Sequence, residues 1–291
     1  MALSRMATIV LTLALAAGCG GGDAVTARTP AEAVAQRMKG SAGVKVTRLV
    51  RLDYGGKAFT PPAEDDFVVP FNIGEYSQSR TTGVLAATAS DLTETYYRTN
   101  VPDELEGVVP TDLSFMTTRT ISIAGSGTYR YRADRQDVPA GKSWLHGRSS
   151  ECEQLRAIGV RDLVSPEVLR KLAAPTPSSG EAIDGVSTVV HAGSSSLAEF
   201  AIAAPNDDPA IAAQSRERNT LTQVSWQLWI GPDRLPRRVH LTVTYPMAED
   251  NQPKTTVIEV DFTDWGSDVV IDPPPSVQVH EIGTCLGPEP Y

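Results

Sequence analysis

Three runs in the last third of the chain alternate apolar and polar residues with a period of two. Thr222–Ile230 places Val224, Trp226, Leu228 and Ile230 in one phase, with Gln223, Ser225 and Gln227 in the other. Arg238–Tyr245 sets Val239, Leu241, Val243 and Tyr245 against Arg238, His240, Thr242 and Thr244. Thr255–Phe262 sets Thr256, Ile258, Val260 and Phe262 against Val257, Glu259 and Asp261. A period of two is the signature of an extended strand whose successive side chains face opposite ways. The turn Gly231-Pro232-Asp233-Arg234 joins the first two runs, so the three read as an antiparallel meander with one wet face.

Further strands follow the same rule. Val44–Tyr54 has Val44, Val46, Val50, Leu52 and Tyr54 in phase. Ile121–Arg132 reads as a hairpin around Gly125-Ser126-Gly127, and Gly185–His191 as a shorter strand. Residues 55–112 are broken by Pro61-Pro62, Pro70, Pro102 and Pro110, with strands expected over Thr81–Thr88 and Thr93–Thr99.

Helix starts are explicit. Thr29-Pro30-Ala31-Glu32 combines an N-cap Thr, Pro at the first helical position and Glu at the third, and Gly40 closes that helix. Ser150-Glu151-Cys152-Glu153 has the same box. Ser165-Pro166 opens a helix that buries Val168, Leu169 and Leu172. Ser195 or Ser196 is expected to cap a helix carrying Leu197 and Phe200, and Asp208-Pro209 to open one reaching about Asn219. Many strands and few helices, with neither a tandem repeat nor a break in composition, give an α+β class built on one large antiparallel sheet.

The N-terminus reads as an address. Arg5 precedes the apolar run Met6–Ala17, which is interrupted only by Thr8 and Thr12. That run is shorter than the ~20 residues needed to span a bilayer, and it suits a signal-peptide core. It ends in Leu15-Ala16-Ala17-Gly18-Cys19. Small residues before a Cys match a bacterial lipobox, in which the Cys sulfur is acylated and becomes the first residue. The rival is an ordinary secretory signal with an incidental Cys. The expected division is a signal peptide over 1–18, a tether over 19–28 that includes Gly20-Gly21-Gly22, and a single domain over 29–291. The protein is thus expected at the extracytoplasmic face of the cell membrane, held there by membrane lipid at Cys19.

Removing Cys19 from the three cysteines leaves Cys152 and Cys285. An even remainder in an exported protein reads as a disulfide, which would constrain the unfolded chain by about 4–5 kcal/mol. The rival is a catalytic thiol at Cys152 in the first turn of a helix, without a His or Asn context to support it. Beyond the signal, 25 Lys+Arg against 35 Asp+Glu leave a charge near −10. Such an acidic body argues against a nucleic-acid partner, which requires a basic face.

Motifs for chemistry are weak. Ala140-Gly141-Lys142-Ser143 resembles the end of a phosphate-binding loop, but Gln136 stands where its first Gly belongs. His280-Glu281 lacks the second His of a zinc-protease helix, and His146, His191 and His240 have no ligand spacing. The serines after His191 lack a nucleophile elbow. The reading is therefore non-enzymatic, with no cofactor and no metal. The remaining candidate is the apolar wall of Val224, Trp226, Leu228, Val239, Leu241 and Val243, with Leu197 and Phe200 as a cover. It is either plain core or the lining of a pocket for an acyl chain, and patterning gives both the same appearance.

Short motifs in order along the chain carry a resemblance. They are the Thr29–Gly40 helix, Gly141-Lys142-Ser143-Trp144-Leu145, the Leu163–Leu172 helix and Ile183-Asp184-Gly185-Val186-Ser187-Thr188. Trp226-Gln227-Leu228-Trp229-Ile230-Gly231, Leu235-Pro236-Arg237-Arg238 and Asp261-Phe262-Thr263-Asp264-Trp265-Gly266 complete the set. Together these resemble the actinobacterial LppX/LprG-type lipoproteins and the wider LolA/LolB-like carriers. The resemblance implies a curved antiparallel half-barrel whose concave face is covered by helices and takes a lipid-like or lipidated ligand. It also implies transport across the envelope or, as an alternative, a sensor or regulator that holds a membrane-protein partner. A purely structural lipoprotein with a filled core is the third possibility. The segment 55–112 and the helix expected over 209–219 depart from the family pattern.

Overall fold

A computed structural model describes residues 27–53, 77–98, 117–132, 138–147, 159–200, 220–245 and 255–282. Cys19, Cys152 and Cys285, the helix expected at Ser150 and the helix expected at Asp208 all lie outside these residues, as does most of the proline-broken segment.

The strands are β1 (Ala42–Asp53), β2 (Ser77–Ala86), β3 (Ala89–Arg98), β4 (Thr118–Ile123), β5 (Gly127–Arg132) and β6 (Trp144–Gly147). They continue with β7 (Ser178–Ser179), β8 (Val189–Ser196), β9 (Gln223–Ile230), β10 (Pro236–Thr244), β11 (Thr255–Asp268) and β12 (Val279–Glu281). All join one open sheet in the order β12-β6-β5-β4-β3-β2-β1-β11-β10-β9-β8-β7. Neighbours are antiparallel except β12, which lies parallel to β6. The expected meander is β9-β10-β11, with Val239 opposite Leu228 and Val260.

Among the described residues four α-helices accompany the sheet: α1 (Pro30–Arg37), α2 (Val160–Leu163), α3 (Pro166–Leu172) and α4 (Leu197–Phe200). A capping box and a serine cap explain where two of them begin. The Thr29 hydroxyl accepts from the Glu32 N–H, while the Glu32 carboxylate accepts from the N–H groups of Arg28 and Thr29. Ser165 caps α3 by accepting from the Val168 N–H. Both devices occupy backbone donors that a helix start otherwise leaves unpaired.

One expectation holds and one is corrected. The helix expected after Ser195 or Ser196 is α4, which begins directly after Ser196, while both serines also end β8, paired with Val224 and Gln223. The Leu197 N–H then donates to the Thr222 carbonyl as α4 begins. The expected strand at Gly185 is displaced, because Asp184 and Gly185 both take positive φ, at 48° and 77°. They form a tight turn between Ile183 and Val186, and β8 starts beyond it.

The main core lies between α1–α3 and the inner face of β1, β2 and β9–β11. Val34 of α1, its C-cap Met38, Leu163 of α2 and Val168, Leu169 and Leu172 of α3 pack there on the sheet's apolar phase. The Trp226 indole N–H donates to the Leu172 carbonyl and ties α3 to the wall. Gly193 on β8 is required at this point, since a Cβ would sit 2.4 Å from the Trp226 ring.

Pairing across β2–β6 reveals a reversal. Residues directly opposite in a sheet share a face. Val260 therefore continues through Arg48, Thr81, Glu94 and Thr118, a polar row on the inner side. Leu85 of β2 still faces the main core, and over β4–β6 the apolar phase is on the outer side instead. Ile121 and Trp144 form a second, smaller core with Val279, flanked by Tyr129 and Tyr131. The returning segment 269–282 covers it: the Ser143 N–H donates to the Gln278 carbonyl and the Lys142 ammonium to the Val277 carbonyl. Arg119 lies 5.7 Å from the Trp144 ring centroid and makes a forked bond to Asp91. That hydrogen bond raises the Arg119 guanidinium above its ordinary value.

Candidate functional site

The six wall residues do share one face, as their alternation requires, and that face is covered. Val224, Leu228, Val239 and Leu241 are fully buried, and Trp226 and Val243 nearly so. All six belong to the core packed under the helices. Leu197 is half-buried at the margin of that core, and nothing is described of the Phe200 side chain. None of the other seven lines either of the two clefts below. Side chains of α1–α3 occupy the space that patterning alone left open.

The wall reaches a cleft at one end. Ile230, the last residue of β9, belongs to the core and also lines a cleft of about 720 Å³. The N-terminal turn of α1 (Thr29, Pro30 and Ala31), the end of α3 (Arg170 and Ala173) and the turn after β9 (Gly231, Pro232 and Arg234) surround it. Ser187, Thr188, Val189 and His191 close it from the β7–β8 side, with Pro177 beside them. Its surface is mainly apolar, contributed by Pro30, Ala31, Ala173, Val189 and Ile230.

Local structure explains the shape. Pro30 and the capping box fix where α1 starts. Gly231 and Arg234 turn the chain between β9 and β10: the Gly231 N–H donates to the Leu235 carbonyl and the Arg234 N–H to the Gly231 carbonyl, with Arg234 at φ 65°. Asp233 stabilises this turn from beneath. It pairs with Arg237 at 2.6 Å and accepts from the Leu235 N–H. His191 is buried, and its Nδ1 lies 2.6 Å from the Pro175 carbonyl. A carbonyl only accepts, so Nδ1 carries the proton and donates. That leaves Nε2 as the ring's remaining polar atom.

The smaller cleft, about 460 Å³, lies on the outer face among Arg80, Tyr97, Glu259 and Asp261. Its charges are of both signs, and Asp261 is bonded to Arg238 at 2.7 Å. That bond raises the Arg238 guanidinium above its ordinary value. The larger, apolar cleft at the end of the core is the better ligand site, because pockets of about 300–1,000 Å³ lined mostly by apolar groups with a few placed polar ones are the usual form.

Sequence reasoning identified Ile230 and the Thr29-Pro30 start but not the cleft. Its lining comes from four separated stretches, each with an adequate local role. Among the described residues, no group of three or more His, Cys, Asp and Glu is placed to hold a metal ion.

No family model matches the chain, and no curated protein matches it. Among solved structures, a LolA superfamily protein from Nitrosomonas europaea is similar over 81% of this chain and 90% of that one, at 9% identity and a TM-score of 0.26. That likeness is too loose to assign this chain to the superfamily.

Proposed function

We propose that this protein is a lipid-anchored, non-enzymatic binding protein at the extracytoplasmic face of the cell membrane, holding a lipid-like or lipidated ligand. The single observation that carries this is the apolar cleft of about 720 Å³ where the core wall surfaces at Ile230. A hydrocarbon lying along Ala173, Val189 and Ile230 leaves water for the same reason that the core does, at roughly 25 cal/mol per Å². The open twelve-stranded sheet suits a half-barrel, since sheets of more than about ten strands rarely stay open without curling, splitting or flattening.

The proposed anchor brings the cleft near the membrane. Eight residues separate Cys19 from Arg28, at the cleft's edge. Such a stretch spans at most about 30 Å. Acylation at Cys19 would therefore hold this end of the molecule within reach of the lipid surface.

Mass spectrometry of the protein purified from its native host tests the reading. Reproducible co-purified lipid near one per chain is the expected result; protein free of lipid overturns it. A membrane-protein partner recovered instead of lipid would favour the regulator. Val189→Trp places a bulky ring in the cleft at an exposed position, and it should weaken binding of a fluorescent fatty acid at least tenfold with folding unchanged. Cys19→Ala should release the protein from membranes, measured by fractionation.

A further inference from the structure

The cleft has a chemical polarity of its own. Three arginines, Arg28, Arg170 and Arg234, stand on its lining, and no Asp or Glu does. In a chain with 35 Asp+Glu against 26 Lys+Arg, that local balance runs against the composition. Two acids on the same elements, Glu32 and Asp233, are already engaged. The Glu32 carboxylate accepts from the backbone at Arg28 and Thr29, and Asp233 is paired with Arg237. None of the three arginines forms an ion pair with a described carboxylate. The Arg170 Nε donates to the Pro166 carbonyl, which leaves its two terminal nitrogens as donors.

We propose that the mouth of this cleft is an anion site, in which Arg28, Arg170 and Arg234 bind a phosphate-type group carried by the amphiphile whose hydrocarbon lies in the cleft. This rests on the lipid-binding reading above and adds the class of head group. The three come from different elements: the segment before α1, the last turn of α3 and the turn between β9 and β10. A guanidinium matches tetrahedral oxyanions with forked hydrogen bonds, and such charge-assisted bonds are the strong ones. The apolar lining beside them excludes an anion without a tail from the cleft's body, so both parts of the ligand are read at once. Elsewhere the acidic surface repels the same anion, which makes the mouth the favoured point of approach.

The test titrates the delipidated full-length protein with dioleoyl phosphatidate, dioleoylglycerol and inorganic phosphate. Phosphatidate should bind at least tenfold more tightly than dioleoylglycerol, with the preference falling as salt is raised. In R28Q/R170Q/R234Q the preference should vanish while dioleoylglycerol affinity stays unchanged. In R28K/R170K/R234K, which keeps the charge, most of the preference should remain. Equal affinities in the wild type, or a preference surviving in the glutamine variant, overturn the anion site and leave the lipid reading standing. Arginine-dependent phosphate binding without binding of either lipid keeps the anion site, assigns it to a free phosphate and overturns the lipid reading. Binding of none of the three overturns both.

Discussion

The two ends of the sheet use the same alternation and bury opposite sides. Over β9–β11, β1 and β2 the apolar phase faces inward, where α1–α3 cover it. Over β4–β6 it faces outward, where segment 269–282 covers Ile121 and Trp144. Between them Arg48, Thr81, Glu94 and Thr118 give the inner face a polar character, and Thr81 and Thr118 are buried. A strand's pattern thus specifies that one face is apolar, and the covering element decides which side of the sheet that face occupies. The large core joins three helices to five strands; the small one joins three short strands to a single returning segment.

The difference can be broken or sharpened by substitution. Leu228→Ala removes a fully buried side chain from beneath the helices and should cost about 3–5 kcal/mol, read by denaturant unfolding. Ile121→Ala in the smaller core should cost about 2 kcal/mol, because neighbours in so thin a layer relax into the space. Equal losses at the two sites would show the cores to be energetically alike and break the contrast. The smallest effect is expected at the Arg119–Asp91 pair over the second core. A double-mutant cycle should return under about 1 kcal/mol, falling with added salt, since both partners are partly exposed.

Much of the fold was legible because its signals are local. Thr29-Pro30-Ala31-Glu32 encodes its own helix start through two reciprocal hydrogen bonds. The β9, β10 and β11 runs encode their strands through uninterrupted alternation, and Ser165-Pro166 encodes the start of α3. Ser195 and Ser196 correctly marked the start of α4, but not that the same serines close β8 against β9, since that pairing comes from a distant strand. Gly185 misled because the strand it was expected to open begins only after the turn it forms.

The site was less legible. The wall from Val224 to Val243 was visible, but its burial depended on what lay above it. The arginines of the cleft were invisible as a group, since Arg28, Arg170 and Arg234 lie far apart along the chain and no spacing links them.

Composition and periodicity by themselves determined an extended, sheet-forming chain with capped helices and one apolar phase per strand, because backbone pitch and hydrogen-bond capping act over a few residues. Only the tertiary structure decided that the wall is packed beneath helices, that the apolar side reverses along the sheet, and that an apolar cleft edged by three arginines lies at the end of β9. Those outcomes depend on which distant segments meet, and burial is a property of the pair in contact and not of either segment alone.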